Sequence, residues 1–300
     1  MKKILKWTGI LLAGLFGLVL LAVIVVFVSS NGRFNKTYNI QPETIDIPTD
    51  AEAIAYGEHV ATIRGCRDCH GENLSGRILI DDPSVGRIAP PNLTAGKNGI
   101  GAVYSDADWE RAIRHGVGPD GKPLLFMPSH EFYYLSDADL GALIAYAKNV
   151  PPANSDLPAS SASFLFRALM LAGQAPPLAA EIIPHDAPRP AAPAPGVTKE
   201  YGEYLAVTCT GCHGPGLSGG PIPGMPPNFP PARNLTPGGP LANWSEEEFI
   251  TTLRTGVDPD GHELRAQFMP WPILGQMTDE ELQALWLYLQ SVPAREYGNR

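Results

Sequence analysis

The sequence predicts an all-α protein in which an N-terminal transmembrane helix is followed by two tandem copies of one small helical domain. Three observations predict this fold class: an apolar run at the N-terminus, an internal repeat, and helix caps that recur at matching places in both copies. No segment shows a convincing period-2 alternation of a half-buried strand. The 300 residues fit about two domains, at ~150 residues per domain.

The composition restricts the class of protein further. The chain contains 31 Gly and 31 Pro, which favour turns and loops over a large continuous sheet. Its net charge of −9 argues against a nucleic-acid partner, because such a partner requires a basic face. All four cysteines lie in two short motifs, so none remains for a separate disulfide framework.

Residues 1–31 are predicted to form an uncleaved membrane anchor. Three lysines precede an apolar run from Trp7 to Val28, whose length at 1.5 Å per residue matches the ~30 Å hydrocarbon core. A cleaved signal peptide is the alternative, but its apolar region is usually about 7–15 residues long, and Ser29-Ser30 is a poor cleavage site. Because positive flanks resist translocation, the rest of the chain is expected on the periplasmic side of the inner membrane.

Four short motifs recur in the same order at offsets of 140 to 145 residues. They are Tyr-Gly-Glu at 56–58 and 201–203, Asn-Leu-Thr at 92–94 and 234–236, Gly-Val-x-Pro-Asp-Gly at 116–121 and 256–261, and Phe-Met-Pro at 126–128 and 268–270. One domain has therefore been used twice. The repeat predicts a first domain at 50–151, a Pro/Ala-rich linker at 152–197 and a second domain at 198–294.

Helices within each copy are predicted from their caps. The first helix runs from about Asp50 to Ile63 and delivers the chain to the first cysteine motif. Four later helices begin with a capping box, a Ser or Thr followed three residues on by an acidic residue. These boxes are Ser105 with Asp108, Ser136 with Asp139, Ser245 with Glu248, and Thr278 with Glu281.

The linker contains one apolar segment, from Phe164 to Ala172. It is far too short to cross a membrane. We expect a short helix packed between the two domains, with an interfacial membrane contact as the alternative. The proline-rich end of the linker, from Ala187 to Pro195, is expected to be an extended spacer.

Each copy contains one Cys-x-x-Cys-His motif: Cys66, Cys69 and His70 in the first, and Cys209, Cys212 and His213 in the second. A structural zinc site would need two ligand pairs much closer together in the chain. A thioredoxin-like redox pair would need a βαβ context. A histidine directly after the second cysteine is instead the signature of covalent haem attachment, in which the thiols add to the two vinyl groups and the imidazole binds the iron. The sequence therefore predicts two covalently bound haem c groups.

Met127 and Met269 are predicted to be the second axial ligands of the two irons. Both follow their motifs at nearly the same distance, and each precedes a proline. A buried Met ordinarily fills gaps in a core, which is the expected role of Met277, and only the duplication argues otherwise. His130 is the competing ligand in the first copy. The other unmatched histidines are expected to be exposed or locally bonded: His59, His115, His185 and His262.

These motifs and the closing helices "LSDADLGALIAYAKNVP" and "MTDEELQALWLYLQSVP" resemble the class I cytochrome c family. The stretches "APPNLTAGKNGIGAVYSDADWERAIRHGVGPDGKPL" and "RNLTPGGPLANWSEEEFITTLRTGVDPDG" are similar to haem domains of the cytochrome c subunits of membrane-bound alcohol, aldehyde and gluconate dehydrogenases. The resemblance implies two tandem cytochrome c-like domains, with Asn92 and Asn234 as haem-edge or loop contacts. Those subunits generally carry three haem domains, and this sequence has two.

The resemblance implies an electron carrier rather than an enzyme. We expect a membrane-anchored dihaem cytochrome c that transfers single electrons in a periplasmic respiratory chain, as the cytochrome subunit or acceptor of a dehydrogenase. Its expected partners are a dehydrogenase, an oxidase or a quinol-oxidising complex. Two alternatives stay open: an integral dihaem subunit of a haem–copper oxidase, and a dihaem peroxidase, which would need one iron with an exchangeable or absent sixth ligand.

Overall fold

The computed structural model describes residues 2–188, 191–225 and 228–300, and it confirms a helix-rich protein with an apolar N-terminal helix. Met1 of the predicted anchor and Arg189 and Pro190 of the predicted linker lie outside the described residues. Below, residues 50–151 are called the first unit and residues 198–294 the second unit.

Helix α1 spans Lys2–Phe34 and extends beyond the apolar run. Among the described residues it is the one helix that is long and apolar enough to cross a membrane. Its apolar side chains are exposed along its length, and Ser30 near its end is buried. The residues of α1 beyond Val28 remain helical because they pack against a helix of the linker, as described below.

The first unit, described throughout, contains five helices: α2 (Ala51–Ile63), α3 (Cys66–His70), α4 (Asp106–His115), α5 (Ser129–Phe132) and α6 (Asp137–Asn149). A 3₁₀ turn at Ile100–Ala102 precedes α4. The helix predicted from about Asp50 to Ile63 is present, and Asp50 caps it by accepting a hydrogen bond from the Ala53 amide. Gly116, with a left-handed φ of 64°, ends α4.

The linker and the second unit supply the remaining helices of the described chain: α7 (Phe164–Leu171), α8 (Ala179–Ile182), α9 (Lys199–His213), α10 (Glu246–Thr255), α11 (Trp271–Leu274) and α12 (Asp279–Ser291). The two units differ just before the cysteine motif. Gly65 adopts a left-handed φ of 73° and separates α2 from α3, whereas Thr208 stands at the matching position and α9 continues to His213.

One helix crossing organises each unit: α2 packs along α6, and α9 packs along α12. A glycine lies at each crossing. A Cβ at Gly57 would overlap the carbonyl oxygen of Ala142, and a Cβ at Gly202 would overlap that of Ala284. The repeated Tyr-Gly-Glu motif therefore has a steric reason, since only glycine permits this close approach.

Each unit has its own apolar core around its crossing. Leu140 and Ile144 are fully buried in the first core, and Leu282 and Leu285 are buried in the second. Met277 is 1% exposed and belongs to the second core. It packs as an ordinary core residue, as its sequence position predicted.

Three of the four predicted capping boxes are complete, at Ser105, Ser245 and Thr278. The box predicted at Ser136 is only half formed, which corrects that prediction. The Ser136 hydroxyl accepts from the Asp139 amide, but the Asp139 carboxylate accepts hydrogen bonds from the hydroxyl groups of Tyr56 and Tyr204 instead of closing the box. A tertiary contact has thus displaced the local one.

A small antiparallel sheet makes the all-α prediction incomplete. Strands β1 (Ile80–Asp82) and β2 (Gly86–Ile88) pair with Asp81 opposite Arg87, and β3 (Ser161–Ala162) pairs with the other edge of β2. Strands of two or three residues are too short to show the alternation by which a strand is recognised. The sheet ties the start of the linker to the first unit.

The linker prediction is corrected in one respect. The apolar segment forms a short helix, α7, but this helix packs against α1 and not between the two units. The two units contact each other directly, through α5 and α9 and through side chains described in the next section.

Candidate functional site

The second cysteine motif forms the last turn of α9, where Cys209 and Cys212 are three residues apart and lie on one side of the helix. Burial raises the pKa of the Cys209 thiol to about 12 and also raises that of Cys212. Burial therefore disfavours the thiolate form of both sulfurs. They line one cavity together with His213.

His213 is held in the geometry of a metal ligand. Its side chain is buried, and its Nδ1 lies 2.7 Å from the carbonyl oxygen of Arg233, to which it donates a proton. This hydrogen bond leaves the lone pair on Nε2, the nitrogen that can bind a metal. Burial lowers the pKa of the imidazole, which keeps it neutral near pH 7.

The first unit repeats this arrangement. His70 ends α3, is buried, and places its Nδ1 2.9 Å from the carbonyl oxygen of Pro91. Burial lowers the pKa of His70, and it raises the pKa of the Cys66 thiol to about 12. The carbonyl acceptor follows its histidine by 21 residues here and by 20 in the second unit, so both loops orient the ring in the same way.

The cavity of the second unit has a volume of about 330 Å³. Met269 lines it together with Cys209, Cys212 and His213, so the structure brings the four predicted residues of this unit together. The remaining wall is largely apolar and includes Leu235, Leu241, Phe249, Leu253, Leu274 and Leu285. Two thiols, a neutral imidazole, a thioether and an apolar wall are the groups that a covalently bound haem requires, and the residues present fit it.

In the first unit, Cys66 and Met127 pack against one core cluster, beside Leu93. They correspond to Cys209 and Met269, which pack against the core of the second unit. His130 lies in α5, and burial lowers its pKa. Its Nδ1 is buried without a hydrogen-bond partner, so His130 remains the competitor to Met127.

Asn92 and Asn234 are buried, and the amide of each organises its own loop. The Asn92 side chain donates to the Ala153 carbonyl at 2.6 Å and accepts from the Thr94 amide at 2.9 Å. Asn234 makes the matching bonds to Arg295 and Thr236. Asn234 also lines the cavity of the second unit, and the haem-edge role of both residues stays a prediction.

The two cysteine motifs lie close to each other across the contact between the units. Arg64, two residues before Cys66, is 4% exposed. Its guanidinium donates to the Thr208 hydroxyl at 3.0 Å, one residue before Cys209, and lies 4.8 Å from the centre of the Tyr204 ring. A cofactor attached to each motif would therefore lie near this shared contact.

Two hydrogen bonds between the units join the same two positions of the repeat, with the roles of the units exchanged. Tyr204 of the second unit bonds Asp139 of the first, and His59 of the first bonds Glu281 of the second at 2.9 Å. In the repeat, His59 corresponds to Tyr204 and Asp139 corresponds to Glu281. The two units therefore pack through equivalent surfaces, in the manner of a two-fold homodimer.

Sequence reasoning missed these contact residues. His59 was expected to be exposed or locally bonded, yet it bonds a residue 222 positions away. No short motif carries Arg64 or His59, and the capping box that contains Asp139 does not indicate its contact with the second unit. The one available signal was the repeat, which shows that two similar surfaces exist but not that they face each other.

His115 and His185 were also expected to be exposed or locally bonded, but they bond each other across 70 positions, and His115 is 5% exposed. Nδ1 of His115 lies 2.9 Å from Nδ1 of His185 in the linker. His262 is exposed, and its Nδ1 lies 3.2 Å from the carboxylate of Asp258. Neither arrangement faces the cavity of the second unit.

The His59–Glu281 pair should stabilise the contact between the units over a limited pH range. The hydrogen bond to Glu281 raises the pKa of His59 above its ordinary value. Burial alone would raise the pKa of Glu281, but the bonds from His59 and Thr278 outweigh it and lower the pKa. The His59 contribution is present below about pH 6.5 and is lost as the pH rises through the raised pKa, whereas the Glu281 contribution is lost as the pH falls below about 4.5.

A double-mutant cycle tests this pair. With His59→Gln and Glu281→Gln we expect a coupling free energy of about 1 kcal/mol near pH 6, falling toward zero near pH 9. Gln at 281 keeps the capping box at Thr278, so the cap is not lost with the pair. The measurement is guanidinium unfolding of all four proteins at both pH values. A coupling that does not change with pH would contradict the assignment.

Glu131 lies at the contact between the first unit and the second cysteine motif. Its Oε1 would lie 2.5 Å from a Cβ at Gly211, between Cys209 and Cys212. Burial raises its pKa to about 7, against a weaker opposing effect of Arg64. The ionised carboxylate is therefore disfavoured in the folded protein.

Glu131→Gln should flatten the pH dependence of stability. Because the folded pKa is raised, the favourable contribution of the protonated carboxyl is complete below about pH 4.5 and is lost as the pH rises to about 7. In the unsubstituted protein this loss is on the order of 2 kcal/mol between about pH 5 and pH 8, and it should disappear in the variant. Guanidinium midpoints at both pH values measure it. Glu72→Gln is the control, since Glu72 is 88% exposed, and an equal effect of the two substitutions would contradict the prediction.

Comparison with known proteins agrees with this geometry. Residues 200–293 match the family model for cytochrome c. One of the subunits of nicotinate dehydrogenase from Pseudomonas putida is 30% identical over 268 residues, covering 81% of this chain and 21% of that protein. The cytochrome c subunit of alcohol dehydrogenase (quinone) from Gluconacetobacter polyoxogenes is 29% identical over 274 residues, covering 81% and 57%. The fructose dehydrogenase cytochrome subunit of Gluconobacter japonicus is 29% identical over 287 residues, covering 83% and 55%.

These matches confirm the resemblance to class I c-type cytochromes and to the cytochrome subunits of dehydrogenases. The second unit contains a cytochrome c domain, which implies covalently bound haem c. The chain spans little more than half the length of the alcohol and fructose dehydrogenase subunits that it matches.

Proposed function

We propose that this chain, whose second unit is a cytochrome c domain, is a membrane-anchored dihaem electron carrier that serves as the cytochrome subunit of a dehydrogenase. The observation that carries the proposal is the cavity of the second unit, where two cysteines, a buried neutral histidine and a methionine meet within apolar walls. The first unit repeats the Cys-x-x-Cys-His motif, the carbonyl partner of the histidine and the position of the methionine. We therefore assign a haem to each unit.

Haem c supplies a one-electron couple when it is bound, and the residues of each unit would hold and tune it. Cys66 and Cys69, or Cys209 and Cys212, provide the two thioether attachments. The hydrogen bond from Nδ1 of His70 or His213 to a backbone carbonyl fixes the ring, and Nε2 would hold the iron. Met127 or Met269 would hold the iron through its thioether, which would raise the reduction potential of the haem. With the iron held by a histidine and a methionine, neither unit would offer an open site for substrate chemistry.

Partnership with a dehydrogenase is proposed from the relatives, which are named as dehydrogenase subunits. They give no support to an oxidase or quinol-oxidising complex as the partner, or to the peroxidase alternative. The chain has a net charge of −9, so a basic docking surface on the partner would complement it. Association that does not weaken at high salt would argue against this electrostatic complementarity.

The membrane orientation is proposed from α1. Lys2, Lys3 and Lys6 precede its apolar run, and the positive-inside tendency places them in the cytoplasm. Both units would then face the periplasm. Arg33 and Lys36 beyond the run oppose this orientation but number fewer than the lysines before it.

Haem stoichiometry and the optical spectrum of the purified full chain test the proposal. We expect two covalently bound haems per chain, and in the oxidised protein the weak far-red band of methionine–ferric coordination. A Cys209→Ala/Cys212→Ala variant should retain one haem, in the first unit, and Cys66→Ala/Cys69→Ala should retain the other. One haem in the unsubstituted chain would overturn the dihaem assignment. A high-spin spectrum would mean an open iron and would favour an enzyme.

A further inference from the structure

Helix α7 of the linker packs against the end of α1 that leaves the membrane. The ring of Phe164 lies 5.9 Å from the ring of Phe27. The guanidinium of Arg167 lies 5.2 Å from the centre of the Phe27 ring and donates hydrogen bonds of 2.9 Å to the Ser30 hydroxyl and 2.8 Å to the Asn31 side chain. The two helices are thus joined by aromatic, cation–π and hydrogen-bond contacts.

A second face of α7 packs on the first unit. Phe166 lies 5.5 Å from Phe126, ring centre to ring centre, and Met170 is 3% exposed. At 100° per residue, Phe166 and Met170 lie on one side of the helix, and Phe164 and Arg167 lie on the side that meets α1. Both of these faces are occupied by contacts within the chain.

The third face of α7 is apolar and has no cover within the described chain. Leu165 and Leu169 form it, with exposed fractions of 48% and 39%, and Phe164, which is 43% exposed, lies at its edge beside α1. The first, second and sixth positions of a helix fall within an arc of about 140°. A soluble helix of eight residues that exposes this much apolar surface in one arc requires an explanation.

The depth of α7 follows from its contacts with α1. The apolar run from Trp7 to Val28 has 22 residues and spans about 33 Å, close to the thickness of the hydrocarbon core. Phe27 lies one residue before the end of this run, and Ser30 and Asn31 lie just beyond it. Phe164 is therefore at the depth of the boundary between hydrocarbon and headgroups, and Arg167 is at the depth of the headgroups. Helix α7 runs alongside α1 and away from the hydrocarbon, because the Met170 carbonyl accepts a hydrogen bond of 3.3 Å from Arg33.

We infer that the exposed face of α7 lies in the periplasmic interface of the bilayer, as a second and monotopic membrane contact beside the anchor. An amphipathic segment is stabilised at this position when its apolar side chains reach the acyl boundary and its cationic side chain stays among the headgroups. Lipid is the occupant because the start of this face adjoins α1 where its apolar run ends, at Phe27.

This contact fixes how the first unit meets the membrane. Phe126, which packs on α7, directly precedes Met127, and Arg33 of α1 forms an ion pair with Glu181 of α8, its Nε lying 2.7 Å from Oε1. The first unit is thereby held with its methionine segment toward the bilayer, rather than swinging freely on the anchor. The inference rests on the proposed function in one respect, the insertion of α1 in the membrane.

Nitroxide depth measurements on the full, haem-loaded chain test the inference. A single extra cysteine is introduced as Leu165→Cys or Leu169→Cys, spin-labelled, and placed in nanodiscs of phosphatidylethanolamine and phosphatidylglycerol. Leu18→Cys, at the middle of α1, is the reference for lipid, and Leu287→Cys, at an exposed apolar position of α12, is the matched reference for water. Collision rates with oxygen and with a water-soluble nickel chelate are measured by power saturation in the ferrous protein.

Oxygen collisions should exceed nickel collisions at positions 18, 165 and 169, with a shallower depth at 165 and 169, and the order should reverse at 287. If 165 and 169 match 287 while 18 lies in lipid, α7 is in water and the inference is overturned. If both reagents are excluded at 165 and 169, protein covers this face, as in a second copy of the chain, and the inference is likewise overturned. If position 18 is also aqueous, the anchor itself fails, which is a separate failure of the proposed function.

Discussion

Met269→Ala should open the haem of the second unit to external ligands without releasing it. The thioether lines the same cavity as Cys209, Cys212 and His213, while covalent attachment depends on the cysteines alone. The reduced variant should therefore bind carbon monoxide, and the reduction potential of one haem should fall because a thioether ligand has been lost. The measurements are carbon monoxide difference spectra and a redox titration, with haem content unchanged.

Met225→Ala is the matched control, because Met225 is exposed and has no counterpart in the first unit. It should bind no more carbon monoxide than the unsubstituted protein. If Met269→Ala behaves in the same way, Met269 is not an iron ligand.

The corresponding pair of substitutions separates the two candidate ligands of the first unit. Met127→Ala should open the first haem, and His130→Ala should not. The reverse result would identify His130, whose buried Nδ1 has no hydrogen-bond partner, as the ligand.

Gly202→Ala should destabilise the second unit by about 2–4 kcal/mol. The new Cβ would overlap the backbone carbonyl oxygen of Ala284, which cannot move aside as a flexible side chain would. Helices α9 and α12 must then separate, and their separation loosens the core around Leu205 and Leu282. The cost exceeds the gain in helix propensity of about 1 kcal/mol that alanine brings.

Glu203→Ala, at the exposed next position of α9, is the control for this substitution and should change stability by less than about 0.5 kcal/mol. Guanidinium unfolding followed by circular dichroism measures both variants. A Gly202→Ala protein as stable as the control would show that the helix crossing is looser than the structure indicates.

Much of the local structure could be predicted from the sequence because it depends on neighbours in the chain. Ser105 with Asp108 and Thr278 with Glu281 form their capping boxes, and Gly116 ends its helix in the left-handed conformation. The helix from Asp50 to Ile63 has the predicted bounds to within one residue. Each of these features depends on residues that are close together in the chain.

The predictions that were wrong or incomplete concern residues whose partners are distant in the chain. Asp139 leaves its capping box because two tyrosine hydroxyls reach its carboxylate, one from each unit. Strands β1 to β3 are too short to have a recognisable pattern. Helix α7 was expected between the units. Instead, the ring of Phe164 contacts Phe27 of α1, and the ring of Phe166 contacts Phe126 of the first unit.

The sequence by itself predicted the haem chemistry of this protein, because Cys-x-x-Cys-His and its duplicate each place two thiols and an imidazole within five residues of one another. It also indicated the anchor, whose apolar length is a property of one segment. Only the tertiary structure decided how the two units face each other and how the first is held beside α1. Those arrangements depend on single contacts such as His59 with Glu281 and Arg167 with Ser30, which join residues more than 130 positions apart. Contacts of this kind follow from the shapes of folded surfaces, and no local pattern in the chain encodes them.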